Sequence, residues 1–320
     1  MALRYGSRSR PGTMVSTWLN GLVSGTVFSG AGYFAGGDWT PITTVNKFAF
    51  SDDTRTTLGT GLATGTYQLA GMANSGTAGY VGGGANASSV DVDTVDKFAF
   101  PGDSRSTLGT GLSAARNLIG AMANSGTAGY FGGGTTGGEV TTVDKFAFPG
   151  DGRSTLGTGL STATAELAGM ANSGTAGYFS GGVSLYATVD KFAFSDDSRT
   201  TLGTGLSSAR RFLGAMANSG TAGYFTGGRT SAQVDTVDKF AFSDDSRTTL
   251  SSGLSAARGY LAAMANSGTA GYVGGGYDAG FSEVSTVDKF AFADDSRTTL
   301  GTGLSTTNYF LSAMADSTTL

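Results

Sequence analysis

The chain has 320 residues, with 20 basic against 24 acidic side chains and a formal net charge of −4, so it carries no electrostatic footprint for nucleic acid or an anionic membrane. Cysteine and histidine are both absent, which excludes disulfides, thiol nucleophiles, imidazole bases, haem ligation and the usual zinc sites, and no cofactor or metal is expected. No apolar run approaches the roughly 18 residues of a membrane helix and no signal-peptide pattern opens the sequence, so a soluble chain made in a cytoplasm is expected.

Residues 1–28 do not share the pattern that fills the rest and are read as an arm, leaving 29–320 as one repeat domain. From there "KFAF" recurs at Lys47, Lys97, Lys145, Lys191, Lys239 and Lys289, a step of 46 to 50 residues. In chain order each unit has a Gly-Tyr-(Phe/Val)-x-Gly-Gly segment (strand B) and a Val-(Asp/Asn)-Lys-Phe-Ala-Phe segment (strand C). An Arg-(Thr/Ser)-Thr-Leu segment (strand D) and a Met-Ala-(Asn/Asp)-Ser segment (strand A) follow. Four short strands at this period predict a propeller blade. Strand C alternates, with Asp96, Phe98 and Phe100 on one side and Val95, Lys97 and Ala99 on the other, so both faces can pack against neighbouring blades. Glycine, at 54 residues, recurs in register with Tyr, Phe, Leu and Met, and is read as packing near a crowded axis rather than as linker.

The first unit enters at 31–37 with a B strand, and the last ends at 311–317 with an A strand. An open ring would expose two unpaired strand edges. The fold class expected is therefore all-β, a six-bladed propeller of four-stranded blades closed by pairing of the C-terminal strand with the N-terminal blade; an open solenoid is the alternative.

Successive loops of an up-and-down blade alternate between its two rims. The A-to-B turn "NSGTAG" and the C-to-D turn "DDSRT" barely change, whereas the B-to-C loops and D-to-A stretches vary, so all irregular connections are expected on one rim. That rim carries Trp39, Tyr67, Tyr186, Phe212, Tyr260, Tyr277, Phe281, Tyr309 and Phe310, with Arg116, Arg210, Arg211, Arg229 and Arg258. These are the residue types enriched at binding hot spots, and all are candidates for a binding face.

Arg116, Arg210 and Arg258 each lie six residues before their unit's Met, which fits either a cluster for carboxylate or sulfate groups or a structural arginine set by the repeat. Each lysine is expected to lay its stem along the blade and pair with the Asp or Asn preceding it, and the Asp-Asp turns are expected to cap backbone amides. The three glutamates, Glu139, Glu166 and Glu283, fall in different variable stretches, so no catalytic carboxylate pair is expected and the chain is read as non-enzymatic.

At "RNLIGAMANSGTAGYFGGG" (116–134), followed by "TVDKFAF", the sequence resembles the kelch repeat, with an arginine before the inner strand and a double glycine ending the next. The turn "SDDSRTTL" (195–202) resembles the Asp-box of sialidase-type propellers, which implies a structural hairpin. The "DKFAFxxDxRSTLGTGLS" idiom is similar to repeats in virion and tail-fibre-like proteins of marine phages, especially those of cyanobacteria. That resemblance implies a non-enzymatic virion component on a tail fibre, tail tip or capsid surface. Its variable face would meet a host glycan or a partner protein. Arg4, Arg8, Arg10 and Trp18 of the arm would dock on other virion proteins, in a multimeric assembly without nucleic-acid contact or membrane insertion. A lectin-like propeller outside any virion and, below it, a sialidase-type glycosidase are the alternatives.

Overall fold

The computed structural model describes residues 30–317. The arm 1–28, with Arg4, Arg8, Arg10 and Trp18, lies outside them. Among the described residues there is no helix; the chain forms six four-stranded antiparallel sheets, each ordered A-B-C-D. Blade 1 runs Ser312–Asp316, Ala31–Ala35, Val45–Ala49, Arg55–Thr57, and blade 2 runs Ala70–Asn74, Ala78–Gly82, Val95–Ala99, Ser104–Thr107. Blades 3 to 6 repeat the order, from Gly120–Asn124 of blade 3 to Arg297–Thr299 of blade 6, and blade 6 adds a two-residue ladder, Arg258–Gly259 with Tyr277–Asp278. The six A strands stand innermost around a narrow axial channel of about 180 Å³ lined by their Met, Ala and Ser positions.

Closure takes the form expected. Ala31–Ala35 pairs antiparallel with Ser312–Asp316 in a register from Ala31↔Asp316 to Ala35↔Ser312. The pairing completes blade 1 from both ends of the repeat domain, so no inner strand edge is left open.

The core lies between blades. One cluster joins Met72, Tyr80 and Val95 of blade 2 to Ile119, Phe131, Phe146 and Phe148 of blade 3, and the same grouping recurs round the ring. Small residues allow this approach. A side chain on Gly71 would strike the Ala313 carbonyl of the neighbouring inner strand, and one on Gly129 would displace the Met72 thioether from blade 2. Glycine here is a close-packing residue.

The lysines pair differently from the sequence expectation. Each Nζ reaches across to the Asp that ends the C-to-D turn of the next blade, as in Lys97–Asp151 at 2.6 Å, and Lys289–Asp53 at 2.7 Å closes the series. Residues adjacent along a strand project to opposite faces, so the Asp preceding a lysine cannot meet it. The same turn carboxylate accepts the neighbouring tyrosine hydroxyl, Tyr80 to Asp151 at 2.8 Å. Burial, with that carboxylate beside it, raises the Tyr80 hydroxyl far above its usual range. In the four Asp-Asp turns the first Asp does the expected capping: Asp52 accepts from the Thr54 amide at 3.0 Å and Asp196 from the Ser198 amide at 3.0 Å.

Candidate functional site

As each chain stretch passes from strand D to the next strand A, it crosses the irregular rim towards the axis. The residue that reaches the axis there is Gln68, Leu118, Glu166, Phe212, Tyr260 or Phe310, all with φ between 55° and 64°. This left-handed conformation brings each peptide edge-on to its neighbour. The amide of each donates to the carbonyl of the one before it, at 2.8–2.9 Å, and Gln68 donates to Phe310, so six hydrogen bonds form an unbroken ring around the axis.

That backbone is costly for these side chains. A left-handed residue with a Cβ is disfavoured by about 1–2 kcal/mol, and glycine is the usual solution. This chain uses glycine at the left-handed Gly36 and Gly37 positions and their equivalents in every blade, and Asp in the turns. At the axial ring it never does. Strained positions that keep bulky side chains are characteristic of functional sites.

The ring is unequal around its circumference. Phe212, Tyr260 and Phe310 occupy one half and Gln68, Leu118 and Glu166 the other, around a depression of about 70 Å³ floored by the leucine layer beneath. The aromatic half continues outward as one contiguous patch. Phe212 stacks on Tyr260 with centroids 3.8 Å apart, and Tyr260 meets Phe310 edge-on at 4.9 Å. Phe310 connects to Tyr67 at 6.2 Å, and Tyr67 to Trp39 at 5.2 Å. Tyr260 also meets Tyr277 at 5.5 Å, and Tyr277 reaches Tyr309 at 4.1 Å and Phe281 at 6.5 Å. Eight rings from blades 5, 6, 1 and 2 therefore make a crescent, whose outer ends are the exposed Trp39 (62 %) and Phe281 (55 %). Tyr67 and Tyr309, two of its eight rings, are buried and link the exposed ones from below.

Two of the five candidate arginines belong to the crescent. Arg211 lies 5.2 Å from the Phe212 ring centroid and pairs with Glu166 at 3.1 Å. Arg229 sits over Phe281 at 5.1 Å and donates to the Tyr260 hydroxyl at 3.2 Å. Burial pushes the Glu166 carboxyl above its usual range, with Arg211 opposing the shift.

Arg116, Arg210 and Arg258 do not belong to the surface, which corrects their place among the binding candidates. They are 0 %, 0 % and 1 % exposed, and they pair with the buried Asp144, Asp238 and Asp288 of strand C. The Arg116 carbonyl accepts from Gly84 of blade 2 while its guanidinium donates to Asp144 and the Phe131 carbonyl of blade 3, so it fastens two blades together. The direction is set by the strand: C-strand aspartates face inward with the Phe side chains, and in blades 3, 5 and 6 a long buried cation meets them. Tyr186 also stands apart. It lines a cavity of about 20 Å³ in blade 4, beside Asp190, where Thr164 takes the place of the arginine.

No protein-family model matches the chain, and no curated protein matches it. The chemistry of the rim is read from its own residues. Among the described residues no cluster of three His, Cys, Asp or Glu side chains is placed to hold a metal ion, and none of their helices, there being none, could cross a membrane.

Sequence reasoning located all eight crescent aromatics but missed Gln68 and Leu118, and considered Glu166 only as a catalytic group. Their common signal is position: each directly precedes the Leu or Ile that leads into an A strand. In a glycine-rich repeat, a position that is left-handed in every unit and never glycine would have marked the axis.

Proposed function

We propose that this chain is a non-enzymatic recognition propeller of a phage particle, carried on a tail fibre, tail tip or capsid surface. It presents its irregular rim to a host surface or a partner protein. The six-bladed propeller supplies the scaffold, and the resemblance of the repeat idiom to marine phage virion proteins is what suggests the setting.

The single observation that carries the recognition role is the eight-ring crescent with Arg211 and Arg229. Contiguous apolar surface rimmed by polar groups marks interaction sites in soluble proteins, and aromatic and Arg side chains dominate binding energy where it has been apportioned. The rigid blades hold these loops in place, so little ordering is needed on binding. Glu166 is salt-bridged to Arg211 at 3.1 Å, which commits its carboxylate to a charge partner and favours a binding role for it over general acid catalysis. Display in many copies would raise a weak single-site affinity.

The arm 1–28 is assigned to docking on other virion proteins. Mass spectrometry of purified particles should detect the chain, and deletion of residues 1–25 should remove it from them. A chain absent from particles, or incorporated equally without its arm, would contradict the assignment.

A further inference from the structure

The axial basin specifies a ligand more narrowly than the rim as a whole, and the following rests on the recognition role just proposed. Its aromatic half, Phe212, Tyr260 and Phe310, is partly exposed and offers flat apolar surface. Its other half offers an amide on Gln68 and a carboxylate on Glu166, across a depression of about 70 Å³. A pyranose ring has matching sides: a C–H face that packs on aromatic rings, and a rim of hydroxyls that both donate and accept.

Charge decides between classes of sugar. Of the two cations beside the ring, Arg211 is paired with Glu166 at 3.1 Å. Arg229 is occupied by the Tyr260 hydroxyl and the Phe281 ring. Glu139 and Arg229 both reach the Glu166 carboxyl, the first raising it and the second lowering it. The two arginines and the two carboxylates balance, so a carboxylated or sulfated sugar would find no excess of positive charge to offset its desolvation. The arginines that would have favoured it, Arg116, Arg210 and Arg258, are locked inside the blades.

We propose that this basin binds the terminal ring of a neutral glycan, packed against the aromatic half formed by Phe212, Tyr260 and Phe310 with its hydroxyls on Gln68 and Glu166. The shallowness of the basin suits a chain end rather than an enclosed polymer. The left-handed backbone supplies a second, independent reason to assign these positions to a ligand, since a purely structural ring would be served by glycine.

The test applies the full-length chain to an array of neutral and acidic glycans, beside the Gln68→Gly and Phe212→Ala variants. Binding confined to neutral glycans is expected, about tenfold or more weaker in each variant, as for other hot-spot side chains. The thermal midpoint of Gln68→Gly should be no lower than that of the parent, because glycine relieves the backbone. Silence across the array, binding that requires sialic acid, uronate or sulfate groups, or binding that survives both substitutions would overturn the proposal. Its failure is distinguishable from failure of the recognition role: adsorption to cells that is lost in Trp39→Ala/Phe281→Ala while the array stays silent removes the saccharide and keeps the rim.

Discussion

Deletion of residues 312–320 should leave a chain that fails to form a soluble monomer. The deletion removes the inner strand of blade 1 and with it all five register pairs to Ala31–Ala35. It exposes that strand as an open edge and uncovers Gly71 and Gly79, which pack against Ala313 and Met314. Met314 is almost fully buried, and the loss of such a side chain costs about 2–5 kcal/mol. The strand's hydrogen bonds add about 1 kcal/mol each. The total is comparable with the whole stability of an ordinary domain, about 5–15 kcal/mol. An unpaired flat edge then offers a template for association. Size-exclusion chromatography with circular dichroism checks this: aggregated or unfolded material is expected, whereas a monomer with an unchanged cooperative transition would mean that the ring does not depend on its terminal pairing.

The second large effect is expected at the buried ion pairs. Arg116→Met leaves the Asp144 carboxylate buried without its guanidinium, which at comparable sites costs about 3–5 kcal/mol. Restoring neutrality on both sides, with Arg116→Met/Asp144→Asn, should recover most of that loss. Blade 1 already uses a neutral solution, with Asn46 in the aspartate position and Asn308 in that of the arginine; Asn46 accepts from the Ser305 amide at 3.2 Å and Asn308 donates to the Gly36 carbonyl at 2.7 Å.

The pH dependence follows from the same group. Burial alone would raise the Asp144 carboxyl, but the Thr155 hydroxyl, the Ser113 amide and Arg116 together hold it below its ordinary value. A lowered carboxyl contributes stability that is fully present above its unfolded value, about 3.9, and is lost as pH falls through the lower folded value. Without Arg116 one of the contacts that lower the carboxyl is lost, so its folded value moves upward and the charged form is held less well. The deficit of Arg116→Met should therefore be full at neutral pH and shrink below about pH 4. Denaturant titration at both pH values measures it, and a deficit that does not change with pH would sink the assignment of the cost to the stranded carboxylate.

The architecture was legible because each of its determinants is local. The spacing of "KFAF", the alternation in strand C and the complementary half-blades at 31–37 and 311–317 led directly to a closed six-bladed ring. The rim assignment of the aromatics followed from loop alternation alone. What was hidden depends on distance across blades. Lys97 has Asp96 beside it in the chain, yet it pairs with Asp151, because the pleat sends neighbours to opposite faces. Arg116 and Arg211 lie on equally variable stretches, and the position six residues before the Met, opposite the strand-C aspartate, makes the first interior and leaves the second at the surface. The convergence of Gln68, Leu118 and Glu166 with three aromatics is a property of the ring, and no single repeat contains it.

The most direct test of recognition through the irregular rim compares adsorption of labelled full-length variants to marine cyanobacterial cells that bind the parent chain. Trp39→Ala/Phe281→Ala alters the exposed ends of the crescent, and Asp196→Ala/Asp244→Ala alters exposed turns on the opposite rim. Loss of adsorption in the first pair with none in the second is the expected result. Adsorption retained in the first pair and lost in the second would place recognition on the regular rim and contradict the role assigned to the crescent.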